Sequence, residues 1–62
     1  MNVYRVEIDS YVDRRVSNLA VDVVAPDAAT ASRLGVFEAK ELYTGREFGE
    51  VTSIKVQLTG EV

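Results

Sequence analysis

The sequence predicts an α+β fold, a ββαβ domain in which one helix packs on one face of a three-stranded antiparallel sheet. Two observations carry this prediction. Apolar and polar residues alternate in three segments, 4–8, 19–25 and 51–58, and a period of two is typical of strands with one buried face. The alanine-rich segment between the second and third has helical spacing instead. A chain of 62 residues is long enough for one domain, residues 1–62.

The first two strands form a hairpin whose register we predict from charge. Their alternating apolar residues are Tyr4, Val6 and Ile8, then Leu19, Val21 and Val23. If Arg5 faces Asp22, these apolar residues share one face and the turn centres on Asp13-Arg14. A slip of two residues would place Glu7 opposite Asp22, where like charges repel. We therefore expect the register that pairs Arg5 with Asp22.

The helix has recognisable boundaries. Pro26 ends the second strand, because proline has no N–H to donate to a sheet. Asp27 then serves as the N-cap, whose carboxylate accepts hydrogen bonds from free backbone N–H groups. The helical pattern continues to about Tyr43, and Gly45 suits a C-terminal cap. One side is formed mostly of small residues: Ala28, Ser32, Gly35, Val36, Ala39, Leu42 and Tyr43. We expect this side to lie against the sheet, with Gly35 allowing a close approach.

The third strand is expected at Val51 to Leu58. Pairing beside the first strand gives the order 2-1-3 with every pair antiparallel, and pairing beside the second gives 1-2-3. We favour 2-1-3, since the first strand then becomes the protected centre. The expected inward residues are Tyr4, Val6, Ile8, Leu19, Val21, Val23, Val36, Ala39, Leu42, Ile54, Val56 and Leu58.

The composition argues against an enzyme. The chain has no cysteine and no histidine, so it lacks thiolate nucleophiles, sulfur-based zinc sites and the usual general base. One helix on three strands is also expected to offer no cleft of the roughly 300 Å³ that substrates occupy. We therefore expect no catalytic residue, cofactor, metal or small-molecule substrate. With no apolar run of about 20 residues and no signal-peptide pattern, we expect a cytoplasmic protein without a membrane partner.

Leu34 and Phe37 are the main candidates for a binding role. They lie three residues apart on one helix surface, away from the small-residue side. An exposed apolar patch there would mark an interface with another protein or a second copy, with a polar rim of Arg33, Lys40 and Glu41. The alternatives are that the helix is rotated and both residues belong to the core, or that Phe37 packs against the segment 43–48 at the helix end.

Two further surfaces are weaker candidates. Glu7, Asp9 and Asp22 on the outer face of the sheet would suit a basic partner surface, or they form an ordinary solvated face. A nucleic-acid-binding role would use the basic residues Arg14, Arg15, Arg33, Lys40 and Arg46. The net charge of −3 argues against direct nucleic-acid binding.

The segment 21–31, Val-Asp-Val-Val-Ala-Pro-Asp-Ala-Ala-Thr-Ala, ends a strand and opens a helix. In this order of elements the chain resembles short bacteriophage and prophage ββαβ proteins, some of which inhibit host defence, as anti-CRISPR proteins do. The resemblance implies a non-enzymatic inhibitor that binds a host protein, such as a nucleic-acid-binding defence complex, inside the host cell. It rests on no diagnostic motif, so it assigns no residue a role. The rival hypotheses are an assembly module that self-associates through a free sheet edge or through Leu34 and Phe37, and a nucleic-acid-binding accessory domain.

Overall fold

The structure is a computed structural model that describes residues 1–42 and 49–62. It contains three strands and one helix within these ranges: β1 (Asn2–Val12), β2 (Arg15–Ala25), α1 (Ala28–Leu42) and β3 (Glu50–Glu61). The sheet order is β2-β1-β3, and both neighbouring pairs are antiparallel. The predicted α+β fold and the order 2-1-3 are therefore confirmed. No helix within the described ranges has the length and apolar character needed to cross a bilayer.

The hairpin has the predicted register. Arg5 faces Asp22, and their side chains approach to 3.5 Å between Nε and Oδ1. The turn has two residues, Asp13 and Arg14, with φ angles of 51° and 65°. Two consecutive positive φ angles match the right-handed twist of the flanking strands, which is why tight hairpins use them. The strands extend up to this turn, so the hairpin pairs along its whole length.

β3 contains two bulges, and a threonine lies at each. The register of β3 against β1 shifts beside Asp9 and again beside Val3, which leaves Thr52 and Thr59 as the extra residues. The Thr52 hydroxyl donates to the Asp9 carbonyl oxygen at 3.2 Å, and the Thr59 hydroxyl donates to the Val3 carbonyl oxygen at 3.1 Å. Each side chain thus bonds the central strand where the ladder is interrupted. The segment between the bulges, residues 53–58, pairs regularly with β1.

The helix begins as predicted. The Asp27 Oδ1 accepts a hydrogen bond from the Thr30 backbone N–H at 2.8 Å, and the Asp27 carbonyl accepts the first intrahelical bond, from Ala31. The Thr30 N–H lowers the pKa of Asp27 because it stabilises the ionised carboxylate. The described helix ends at Leu42, so the predicted helical end at Tyr43 and the cap at Gly45 lie outside the described residues.

The helix approaches the sheet most closely at Gly35. A Cβ atom built there would lie 2.6 Å from the Cβ of Val6, closer than real Cβ contacts occur. Ala31 and Ala39, one turn away on either side, are fully buried. These small residues at every fourth position let the helix backbone sit directly on the branched side chains of the sheet. The predicted role of Gly35 is confirmed.

The core is smaller than predicted. The residues that are buried as expected are Tyr4, Val6, Ile8, Val21, Val23 and Ala39, while Leu19, Val36 and Val56 are half-buried. Three of the expected inward residues are exposed: Leu42 at 66%, Ile54 at 40% and Leu58 at 56%.

The predicted sheet-facing side of the helix is also wrong by a fraction of a turn. Its centre follows Ala31, Gly35 and Ala39, so Ala28 was wrongly placed inward and Ala31 was missed. Leu42 is at the last described turn of the helix. Ile54 and Leu58 keep the inward parity of their strand, but the helix packs mainly over β2 and covers β3 less.

Candidate protein-interaction surfaces

The solvent side of α1 carries an apolar patch. Phe37 is 61% exposed and Leu34 is 39% exposed, so the alternative in which both belong to the core does not hold. At about 100° per residue, Phe37 lies nearly opposite Gly35 on the helix surface, so it points directly away from the sheet. Leu34 lies one turn earlier and flanks it. We call these two residues the Phe37 patch.

Charged residues surround the Phe37 patch on the helix. Arg33 lies four residues before Phe37 and Glu41 four residues after it, so all three occupy one ridge of the helix. Lys40 lies beside this ridge. Arg33, Lys40 and Glu41 are all exposed. The patch therefore has an apolar centre and a rim with both signs of charge. That is the arrangement of a small protein-binding surface, in which the aromatic centre loses water and the rim stays hydrated.

The outer face of the sheet is polar and its groups bond one another. The Asp9 carboxylate accepts hydrogen bonds from Asn18 Nδ2 at 2.7 Å and from Ser53 Oγ at 2.8 Å, which links all three strands. The hydrogen bond from Asn18, followed by that from Ser53, lowers the pKa of Asp9. Asp22 is the partner of Arg5.

The predicted acidic trio is therefore not a cluster. Asp9 and Asp22 have separate partners, and Glu7 stands between Ala20 and Lys55 in the sheet. Within the described ranges, no group of three histidine, cysteine, aspartate or glutamate residues is arranged to hold a metal ion. This face is best described as a hydrogen-bonded outer surface that holds the three strands in register.

The sequence did not reveal the apolar surface on β3. Ile54, Val56 and Leu58 face the helix side of the sheet, yet Ile54 and Leu58 are exposed and Val56 is only half-buried. We call these three residues the β3 stripe. A helix with side chains is about 10 Å wide and strands lie about 4.8 Å apart, so one helix covers about two strands. This width is the signal that would have indicated the uncovered third strand.

The sequence also did not predict two features near the hairpin end. A partly open groove of about 510 Å³ lies beside the turn and is lined by both apolar and charged residues, among them Val12, Asp13, Arg15 and Leu19. The expectation that the fold offers no cleft of this size was wrong. Ser10 is fully buried, and its hydroxyl has no hydrogen-bond partner among the residues that the structure describes.

Among the predicted basic residues, Arg14 and Arg15 lie at the hairpin turn, while Arg33 and Lys40 lie on the helix. They belong to separate elements and do not follow one strand or one groove. The fifth, Arg46, lies outside the described residues.

Comparison with protein-family models, with curated proteins and with solved structures found no match to this chain. Its function must therefore be inferred from its own surfaces.

Proposed function

We propose that this protein is a non-enzymatic protein-interaction module that binds a partner protein through the Phe37 patch. The observation that supports it is the exposure of Phe37, 61%, at the centre of the solvent side of α1. Phe37 is not part of the core cluster formed by the described residues. Exposing its apolar ring to water is unfavourable, and contact with a partner surface would remove the ring from water.

The energy available at the patch is sufficient for recognition. Fully burying a phenylalanine or leucine side chain contributes about 1.5–3 kcal/mol. Both residues lie on a helix that is capped by Asp27 and packed on the sheet, so binding would order little additional backbone. A rigid helix that presents an aromatic anchor is a known way of filling a groove on a partner.

The charge of the chain indicates which partner surface would suit it. With a net charge of −3, the module would associate faster with a basic surface than with an acidic one. A nucleic-acid-binding protein presents such a surface. The finer form of the proposal is therefore an inhibitor that blocks a nucleic-acid-binding protein, and the resemblance to small phage proteins would make that target a host defence complex.

The same charge argues against direct nucleic-acid binding. Salt-sensitive affinity requires several basic residues that neutralise neighbouring phosphates. Among the described residues, the basic side chains are divided between the hairpin turn, the helix and the strands β1 and β3. We expect no complex with short DNA or RNA oligonucleotides at physiological salt. A submicromolar complex would favour the accessory-domain hypothesis instead.

The test is a binding comparison between two variants. The Leu34→Ala/Phe37→Ala double variant should keep its fold, because both residues are exposed, and lose binding to a partner identified by pull-down and then purified. Val24→Ala, an exposed apolar residue on the sheet at 47%, is the matched control and should bind as the wild type does. If the double variant stays folded and binds its partner normally, the Phe37 patch is not the interface. If it unfolds, both residues are part of the core and the proposal fails.

A further inference from the structure

We infer that β3 pairs with the β3 strand of a second copy, antiparallel and centred on Val56, to form a continuous six-stranded sheet. This goes beyond the proposed function, because it uses a surface separate from the Phe37 patch and a partner that is the chain itself. Two independent properties of β3 lead to it: the direction of its backbone groups and the exposure of its side chains.

The hairpin turn shows which backbone groups of β3 are available. A two-residue turn is closed by a hydrogen-bonded pair, here Val12 and Arg15. Hydrogen-bonded and non-hydrogen-bonded pairs then alternate along the strands, so even-numbered residues of β1 bond to β2 and odd-numbered residues bond to β3. The threonine bonds agree, since both go to carbonyls of odd-numbered residues, Val3 and Asp9.

The same alternation continues across β3. Arg5, Glu7 and Asp9 face Gln57, Lys55 and Ser53, so these odd-numbered residues of β3 direct their backbone groups toward β1. Ile54, Val56 and Leu58 direct their N–H and C=O groups the other way. Because the order is β2-β1-β3, no strand among the residues that the structure describes lies beside β3 on that side.

The three residues of the β3 stripe therefore combine backbone groups without a strand partner among the described residues and exposed apolar side chains. Their backbones point to the outer edge, and their side chains form the apolar surface that the helix leaves exposed. The opposite edge, β2, differs. Its outward backbone groups belong to even-numbered residues, whose side chains lie on the outer face. These are small or polar in the middle of the strand, at Asn18, Ala20 and Asp22, and the exposed valines Val16 and Val24 lie near its two ends. Of the two edges, β3 is the one that a second apolar strand would complement.

Charge selects the register, as it does in the hairpin. Centring the pair on Lys55 would place two lysines opposite each other, which is unfavourable. Centring it on Val56 places Ile54 opposite Leu58 of the partner subunit and Lys55 opposite Gln57 of the partner subunit. This register brings the whole β3 stripe into contact with its copy. It also lies within the regular segment 53–58, between the two bulges.

The resulting dimer would bury the stripe on both sides. Antiparallel pairing relates the two copies by a two-fold axis perpendicular to the sheet, so both helices lie on the same face. The two stripes then meet between the helices. A specific dimer buries at least roughly 600 Å² per subunit. The chain is 37 Å along its longest axis, so a strip roughly 16 Å wide along the whole of β3 would be needed to supply that area.

The first experiment is sedimentation velocity of the full chain at increasing concentration. We expect the wild type to reach twice its monomer mass of 6.8 kDa, and the Ile54→Lys/Leu58→Lys variant to stay monomeric and folded. The matched control is Val16→Lys/Val24→Lys, which makes the same exchange at two exposed residues of β2 and should still dimerise. A wild type that remains monomeric at millimolar concentration would overturn the inference. So would a folded Ile54→Lys/Leu58→Lys variant that dimerises normally.

The second experiment tests the register and does not depend on the stability of those variants. The chain has no cysteine, so a single introduced thiol is an unambiguous reporter. Val56→Cys should form a covalent dimer on oxidation, because the two Val56 residues face each other across the axis within the roughly 4.4–6.8 Å Cα separation that a disulfide needs. Lys55→Cys should cross-link much less, since it faces Gln57. Equal cross-linking of both variants, or of neither, would contradict the pairing.

The two proposals can fail separately. Leu34→Ala/Phe37→Ala should dimerise like the wild type, because the Phe37 patch is not in the strand pair. If this variant alone becomes monomeric, self-association belongs to the helix and the β3 pairing is wrong.

Discussion

β2 and β3 flank the same central strand, but the helix covers β2 more completely than β3. Across Tyr4, Val23 on β2 is 7% exposed and Leu58 on β3 is 56% exposed, and across Ile8, Leu19 on β2 is half-buried and Ile54 on β3 is 40% exposed. Both strands have the same alternation of apolar and polar residues. The difference arises because one helix covers about two strands and packs mainly over β2. An alternating pattern thus predicts which side chains share a face, while burial depends on what covers that face.

The largest expected difference between the two strands is at the neighbours of Tyr4. Val23 and Leu58 both face Tyr4, one from each side. We expect Val23→Ala to lower the free energy of unfolding by about 2 kcal/mol, through lost burial and the cavity left behind. Leu58→Ala removes a larger side chain but should cost less than about 1 kcal/mol in the monomer, because the side chain is already in water.

Urea denaturation at low protein concentration measures both variants under conditions in which the monomer predominates. Equal losses would mean that β3 is covered as well as β2, and the contrast between the strands would be wrong.

A smaller effect is expected where the helix meets the sheet. Gly35→Ala improves helix propensity by up to about 1 kcal/mol, but its methyl group would overlap the side chain of Val6. Overpacking of this kind typically costs about 1–3 kcal/mol, so we expect a net loss of about 1–2 kcal/mol. In a thermodynamic cycle, Gly35→Ala should lower the free energy of unfolding less in the Val6→Ala background than in the wild type. A stabilised Gly35→Ala variant would contradict the close approach of the helix.

The smallest effect concerns the helix start and pH. The pKa of Asp27 is lowered in the folded chain by the hydrogen bond from Thr30, so its stabilisation is complete above the unfolded pKa of about 3.9 and is lost as pH falls through the folded pKa. Asp27→Asn keeps a capping side chain that does not titrate. We expect its unfolding free energy to fall less steeply below pH 4 than that of the wild type. If the unfolding free energies of the two proteins fall equally below pH 4, the Asp27 cap is not the cause of the loss of stability.

The sequence was sufficient for the order of elements, the hairpin register and the helix cap because each depends on local chemistry. The charges of Arg5, Glu7 and Asp22 distinguish the possible registers, and Pro26-Asp27 marks the end of a strand and the start of a helix. The role of Gly35 could also be predicted, since a glycine within a helix lowers its stability and is typical of a close approach to a neighbouring element.

The burial of β3 could not be predicted in the same way. Leu58 and Val23 have equivalent positions in their alternating patterns, and only the lateral position of the helix distinguishes them. That position follows from the Ala31, Gly35 and Ala39 contact with the sheet, which the sequence placed a fraction of a turn away. Ser10 was missed for a related reason, because its burial depends on the packing around the bulge beside Asp9 and not on its own chemistry.

The most direct test of the uncovered strand is amide hydrogen exchange, residue by residue, at two protein concentrations. We expect the amides of Lys55 and Gln57 to be protected at both concentrations, because they bond to β1. The amides of Ile54, Val56 and Leu58 should exchange rapidly when dilute and become protected when concentrated, while that of Asp22 on β2 stays unprotected. Protection at Val56 that does not change with concentration, or that appears at Asp22 instead, would contradict pairing through β3.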